Sequence, residues 1–83
     1  MGKAGNVLKQ VLETHDLTQY GLAKAMGVER TTVYRWVKGD RDPSADTVVE
    51  IVEALKGLKP QAAEDFVKLY LGDMLTNPDP EQP

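Results

Sequence analysis

Glycine spacing constrains this chain more than any other feature. Gly27, Gly39 and Gly57 each follow a stretch whose apolar residues recur at helical intervals. Each stretch is too regular for a loop and too short to be stable without neighbours. Thr18 caps a segment carrying Leu22, Ala23 and Met26, which ends at Gly27. A segment from about Glu29 to Lys38 carries Val33, Trp36 and Val37, and Gly39 is its natural left-handed end. Ser44, after Pro43, caps a further helix with Val48, Ile51, Val52 and Leu55 at i, i+3, i+4 and i+7, expected to close at Gly57. Upstream, Asn6 is the expected N-cap of a first helix with pairs Val7/Val11 and Leu8/Leu12, broken by His15 and Asp16. Downstream, Pro60 fits the first turn of a fifth helix over roughly residues 60–75. No stretch sustains the period-two alternation of a strand. The expected fold is all-α, a compact bundle of about five helices in one domain over residues 1–75. The remaining TNPDPEQP, residues 76–83, has no apolar side chain and is expected to be disordered.

Composition narrows the functional classes. Eighty-three residues hold one small core, no separate effector domain is expected, and regulation is expected through concentration, a partner or proteolysis. The absence of cysteine excludes disulfides, thiolate catalysis and cysteine-ligated metals. His15, the single histidine, has no companions for a metal site, and no cofactor is expected. No apolar run reaches the roughly 20 residues that span a bilayer, and the polar start is not expected to follow a signal sequence, so the expected compartment is the cytosol. A net charge of −3 argues at first against a nucleic-acid partner. The distribution reverses this. Residues 1–41 hold seven Lys/Arg against four acids, whereas residues 42–83 hold three Lys against nine acids. A basic half beside an acidic half attracts phosphate to one face and repels it from the other.

The informative segment is 18–39. Two short helices joined at Gly27, with Val28 tucked beneath the turn, would share a core through Leu22, Met26, Val28, Val33 and Trp36. Ala23 is small where two steeply crossing helices approach most closely. These are the physical requirements of a helix-turn-helix. With the core positions removed, the second of these helices presents Glu29, Arg30, Thr31, Thr32, Tyr34, Arg35 and Lys38. Arginine's planar fork matches the O6/N7 edge of guanine, and threonine can meet a base, a phosphate or the thymine methyl. Lys38 and Arg41 suit the flanking phosphates, and Gln19 can offer an amide to another.

LTQYGLAKAMGVERTTVYRWVKGDRDPSADTVVEIVEAL, residues 17–55, resembles the Cro/repressor-type, or XRE-type, helix-turn-helix of bacterial and phage transcription regulators. The matching elements are Leu17-Thr18-Gln19, Leu22-Ala23, Gly27-Val28, Val33, Gly39 and Pro43-Ser44. The resemblance implies a five-helix bundle whose third helix reads the major groove, and a homodimer on a palindromic operator. Carried over by position, it makes Arg30, Thr31 and Arg35 base readers, and Gln19, Thr32, Lys38 and Arg41 mainly phosphate contacts. Two positions depart from the pattern. Gly21 stands where an acid usually completes a capping box with Thr18, and Glu29 stands where Ser or Thr often opens the recognition helix. Glu29 can accept from cytosine N4 or pair with an arginine, and it can also weaken binding by its charge.

Plainer readings apply to several of these residues. Trp36 belongs to the apolar set, so core packing outweighs base stacking. Tyr34 fits either a phosphate contact or a solvated aromatic. Lys38 and His15 each suit a helix C-terminal dipole. The acids from Asp42 to Glu53 read as a solvated helix face. Glu64 and Asp65 are adjacent on a helix and point about 100° apart, so they form no catalytic pair. No base, nucleophile and stabiliser occur together, and no enzymatic activity is expected. In the fifth helix Phe66, Tyr70 and Met74 form one stripe that can close the core. Ala63, Val67, Leu71 and Leu75 form a second apolar row, expected as a symmetric dimer interface. The main expectation is a transcriptional repressor that occludes a promoter. The alternatives are an antitoxin that neutralises a toxin protein through helix 60–75 or the acidic tail, and an activator that touches polymerase through the acidic face of the fourth helix.

Overall fold

The computed structural model describes residues 3–76. Five helices follow one another: α1 (Lys3–Thr14), α2 (Gln19–Met26), α3 (Arg30–Lys38), α4 (Ala45–Leu58) and α5 (Pro60–Thr76). Among the described residues there is no strand. The expected tail lies outside them, except for Thr76, which is the last residue of α5.

Local chemistry sets most of the helix ends. Thr18 Oγ1 accepts from the Gly21 N–H at 2.9 Å and Ser44 Oγ accepts from the Thr47 N–H at 3.2 Å, each satisfying an orphan donor. The first three helices stop in one way. Leu17, Val28 and Asp40 donate back to the carbonyls of Leu12, Ala23 and Arg35, across a left-handed residue. That residue is Gly27 (φ 74°) after α2, Gly39 (φ 93°) after α3 and Asp16 (φ 57°) after α1. Aspartate tolerates this region better than most side chains, which explains the break read at His15-Asp16.

Two boundaries differ from expectation. Asn6 is not an N-cap: α1 already runs from Lys3, and Asn6 is an exposed residue within it. The first turn is held by packing, with Ala4 and Gly5 buried and Gly5 directly against the Trp36 carbonyl. Nor does Gly57 close α4, which continues to Leu58. Pro60 sets that end, because the residue before a proline is driven out of the helical region. Lys59 is accordingly extended (φ −162°, ψ 105°), and its N–H still reaches the Leu55 carbonyl at 2.7 Å. Gly57 therefore sits inside a helix with open space where a Cβ would stand. Gly57→Ala should stabilise the fold by about 0.5–1 kcal/mol and raise the thermal midpoint by roughly 2–8 °C. An unchanged or lower midpoint would show that the last turn of α4 is frayed.

The core draws on every helix: Leu8, Val11 and Leu12 from α1, Leu22 and Ala23 from α2, Val33 and Trp36 from α3, Ile51 and Leu55 from α4, and Ala62, Ala63 and Phe66 from α5. Trp36 is a core residue, as its place in the apolar set implied. Helix α5 packs against both α1 and α4, and α2 against both α3 and α4. His15 does more than face a helix dipole, for its Nε2 lies 2.6 Å from Asp65 Oδ2 and ties the end of α1 to α5. Ala63 requires a correction. It is buried within its own chain in the packing of α5 on α1 and α4, and so offers little surface to a second copy. Val67 and Leu71 of the same row are exposed, and the Leu75 and Met74 side chains lie outside the described residues.

Candidate nucleic-acid interface

The segment 18–39 is assembled from inside outward. Leu22 and Ala23 of α2 and Val33 and Trp36 of α3 are buried together, with Met26 and Val28 packed against them. Only a short turn at Gly27 lets α2 and α3 meet this way, and its positive φ suits glycine. With Val33 and Trp36 fixed inward, helical geometry turns Arg30, Thr31, Tyr34, Arg35 and Lys38 outward, and all five are exposed.

The base readers expected from the sequence therefore share one face. Arg30 and Thr31 sit in the first turn of α3, and Arg35 lies in the next turn. Among the described residues neither arginine is held in an ion pair, so both guanidinium forks remain available for a ligand. Thr18, Gln19 and Tyr20 at the start of α2 face Arg30, Thr31 and Tyr34 across an open cleft, and no carboxylate lines it. Gln19 is half-buried at the first position of α2. Thr32 is also half-buried, and its N–H is used by the Glu29 carbonyl at 2.9 Å.

Two basic residues flank the far end of α3. Arg41 is exposed, and its backbone N–H contacts the Arg35 carbonyl at 3.4 Å, which holds it near the helix end. Lys38 is partly engaged already. Its Nζ lies 3.8 Å from Asp40 Oδ2 and 5.8 Å from the centre of the Tyr34 ring. Both contacts are exposed and weak, so a phosphate can replace them at little cost. Tyr20 was not singled out by the sequence pattern. It is 60% exposed beside Gln19, and the only signal for it was an aromatic residue placed outside the apolar set.

Glu29 is the N-cap of α3, but its side chain makes no cap hydrogen bond. An exposed carboxylate thus adjoins the reading face without capping the helix. Glu29→Ser should add a cap that stabilises the fold by about 1 kcal/mol. It should also tighten DNA binding, by a factor that shrinks as salt rises. Melting and a binding titration at two salt concentrations check both effects. Weaker binding by the variant would mean that Glu29 accepts a hydrogen bond from a base.

Among the described residues no group of His, Asp or Glu could hold a metal ion. No helix there is long and apolar enough to cross a membrane. A family model described as helix-turn-helix matches residues 8–61, well over half of the chain. Comparisons with curated proteins and with solved structures give no match. With the capped α2, the left-handed turn at Gly27 and an outward α3 inside that matched span, the chain belongs to the XRE-type helix-turn-helix family of DNA-binding transcription regulators.

Proposed function

We propose that this regulator is a repressor that binds a palindromic operator in double-stranded DNA as a homodimer, with α3 in the major groove. The observation that carries this reading is the outward face of α3, where two unpaired arginines and a threonine stand exposed together. Arg30, Thr31 and Arg35 read base edges, while Gln19, Thr32, Tyr34, Lys38 and Arg41 fix the helix against the phosphates. Exposed acids on α4, among them Asp46, Glu50 and Glu53, repel phosphate and so favour contact through the basic face of α3 instead. Such a repressor works by occupying a promoter and needs no catalytic group or cofactor. Its setting is the prokaryotic cytoplasm, where its DNA lies.

Dimerisation is supported by the apolar edge of α5. Val67 and Leu71 are exposed, and so is Val49 on the neighbouring α4. Together with half-buried Val48, Val52 and Tyr70 they line an apolar groove between α4 and α5. A two-fold axis at this edge would set two copies of α3 about 34 Å apart, one turn of DNA. The same groove favours a second reading, in which this family member is an antitoxin whose partner protein occupies it.

Selection from a randomised duplex pool at moderate salt tests the main reading. Enrichment of a palindrome with half-sites about one turn apart supports it. A folded protein that enriches no sequence would overturn it and favour the antitoxin. Sedimentation tests the dimer, since a monomer at high micromolar concentration, with and without the operator, would remove it.

A further inference from the structure

Two aromatic residues line the cleft between the start of α2 and the face of α3: Tyr20 on α2 and Tyr34 on α3, together with Arg30 and Thr31. Both tyrosines are exposed, at 60% and 48%. The Tyr20 hydroxyl has no partner among the described residues, and its ring is not part of the core. Scattered exposed aromatics need no explanation, but two that line one cleft with an arginine form a shaped surface. An aromatic ring with a polar tip suits a ligand that is apolar on one side and anionic on the other. A deoxyribose with its phosphate is such a ligand.

We propose that Tyr20 and Tyr34 clamp one sugar–phosphate unit of the DNA strand bordering the major groove, adding affinity that does not depend on sequence. The proposal rests on the reading of α3 as the groove-entering helix, and it adds Tyr20 as a backbone contact. In helix-turn-helix docking the first helix crosses the backbone while the second lies in the groove, so a residue at the start of α2 meets sugar and phosphate rather than base edges. The Tyr20 ring packs on the sugar, and its hydroxyl donates to a phosphate oxygen. Tyr34 lines the same cleft, with Lys38 beside its ring supplying charge to the next phosphate along. A tyrosine contact differs from a lysine contact in one measurable way. It adds affinity without displacing a counterion, so it leaves the salt dependence unchanged.

The experiment uses the full chain and the duplex enriched by wild-type protein. Tyr20→Ala should weaken binding about fivefold to tenfold, with the slope of log K against log salt unchanged and the preferred sequence unaltered. Tyr20→Phe should recover part of that loss. A methylphosphonate placed at each phosphate in turn should locate one position whose cost in wild type disappears in Tyr20→Phe. Tyr20 is exposed, and circular dichroism checks that the variants remain folded. Undiminished binding by Tyr20→Ala overturns the clamp, and a changed base preference overturns the backbone assignment. Failure of wild type to enrich any duplex instead removes the groove-reading role of α3, an outcome distinct from either of these.

Discussion

Gly5→Ala should unfold the chain or leave it barely stable. A Cβ at position 5 would overlap the Trp36 carbonyl oxygen and stand 2.9 Å from the carbonyl carbon. Both atoms belong to the backbone of α3, so no rotamer change relieves the collision. Helix α1 would have to lift away, taking Ala4, Val7 and Leu8 out of the core and uncovering Trp36. Overpacking of this kind costs about 3 kcal/mol or more. For a domain of this size that lowers the thermal midpoint by roughly 12–24 °C. Thermal denaturation followed by circular dichroism measures it directly. A midpoint within a few degrees of wild type would mean that α1 does not cross α3 at Gly5. Gly57→Ala is the matched control, because the same added methyl there meets open space.

Arg35→Ala and Arg30→Ala should produce the largest losses of function. A bidentate arginine–guanine pair discriminates by about 1–3 kcal/mol, or roughly 5- to 150-fold. Each variant should lose that much on the selected operator and far less on random duplex, and its base preference should relax at one position. Both arginines are exposed and lie outside the core, so folding should be unaffected. Lys38→Ala should instead weaken matched and random DNA alike and reduce the salt slope by about one. Equal losses on matched and random DNA for both arginines would move them from base reading to phosphate contact.

Which features could be read in the sequence depended on how local their causes are. Thr18, Gly27, Gly39 and Ser44 act on donors or dihedrals within a few residues, so the ends they define were legible and the helix-turn-helix with them. The start of α1 was not. Locally, Gly5 is a poor helix residue and Asn6 a good cap, and only the approach of α3 reverses that preference. Gly57 likewise reads as a stop until Ile51 and Leu55 are seen fixed in the core, with Pro60 supplying a stronger terminator just beyond. Ala63 fell in the correct periodic row, but periodicity does not tell which neighbours cover the first turn of a helix. Most of the outward set on α3 followed from subtraction of Val33 and Trp36, but Thr32, one residue before Val33, is half-buried. Tyr20 had no periodic partner, and its significance depends on a cleft formed with α3, a segment beyond the turn.

The attachment of α3 bears on how regulators of this kind diversify. The helix is gripped from behind by Val33 and Trp36, at its far end by the peptide group that Gly5 covers, and on leaving by the turn at Gly39. None of these anchors belongs to the face that carries Arg30, Thr31, Tyr34 and Arg35. If that face reads DNA as proposed, the address it recognises and the frame that holds it upright are written in separate residues. Mutation could then rewrite the first while the second stands still, and a lineage built on this frame could move among operators without passing through unfolded intermediates.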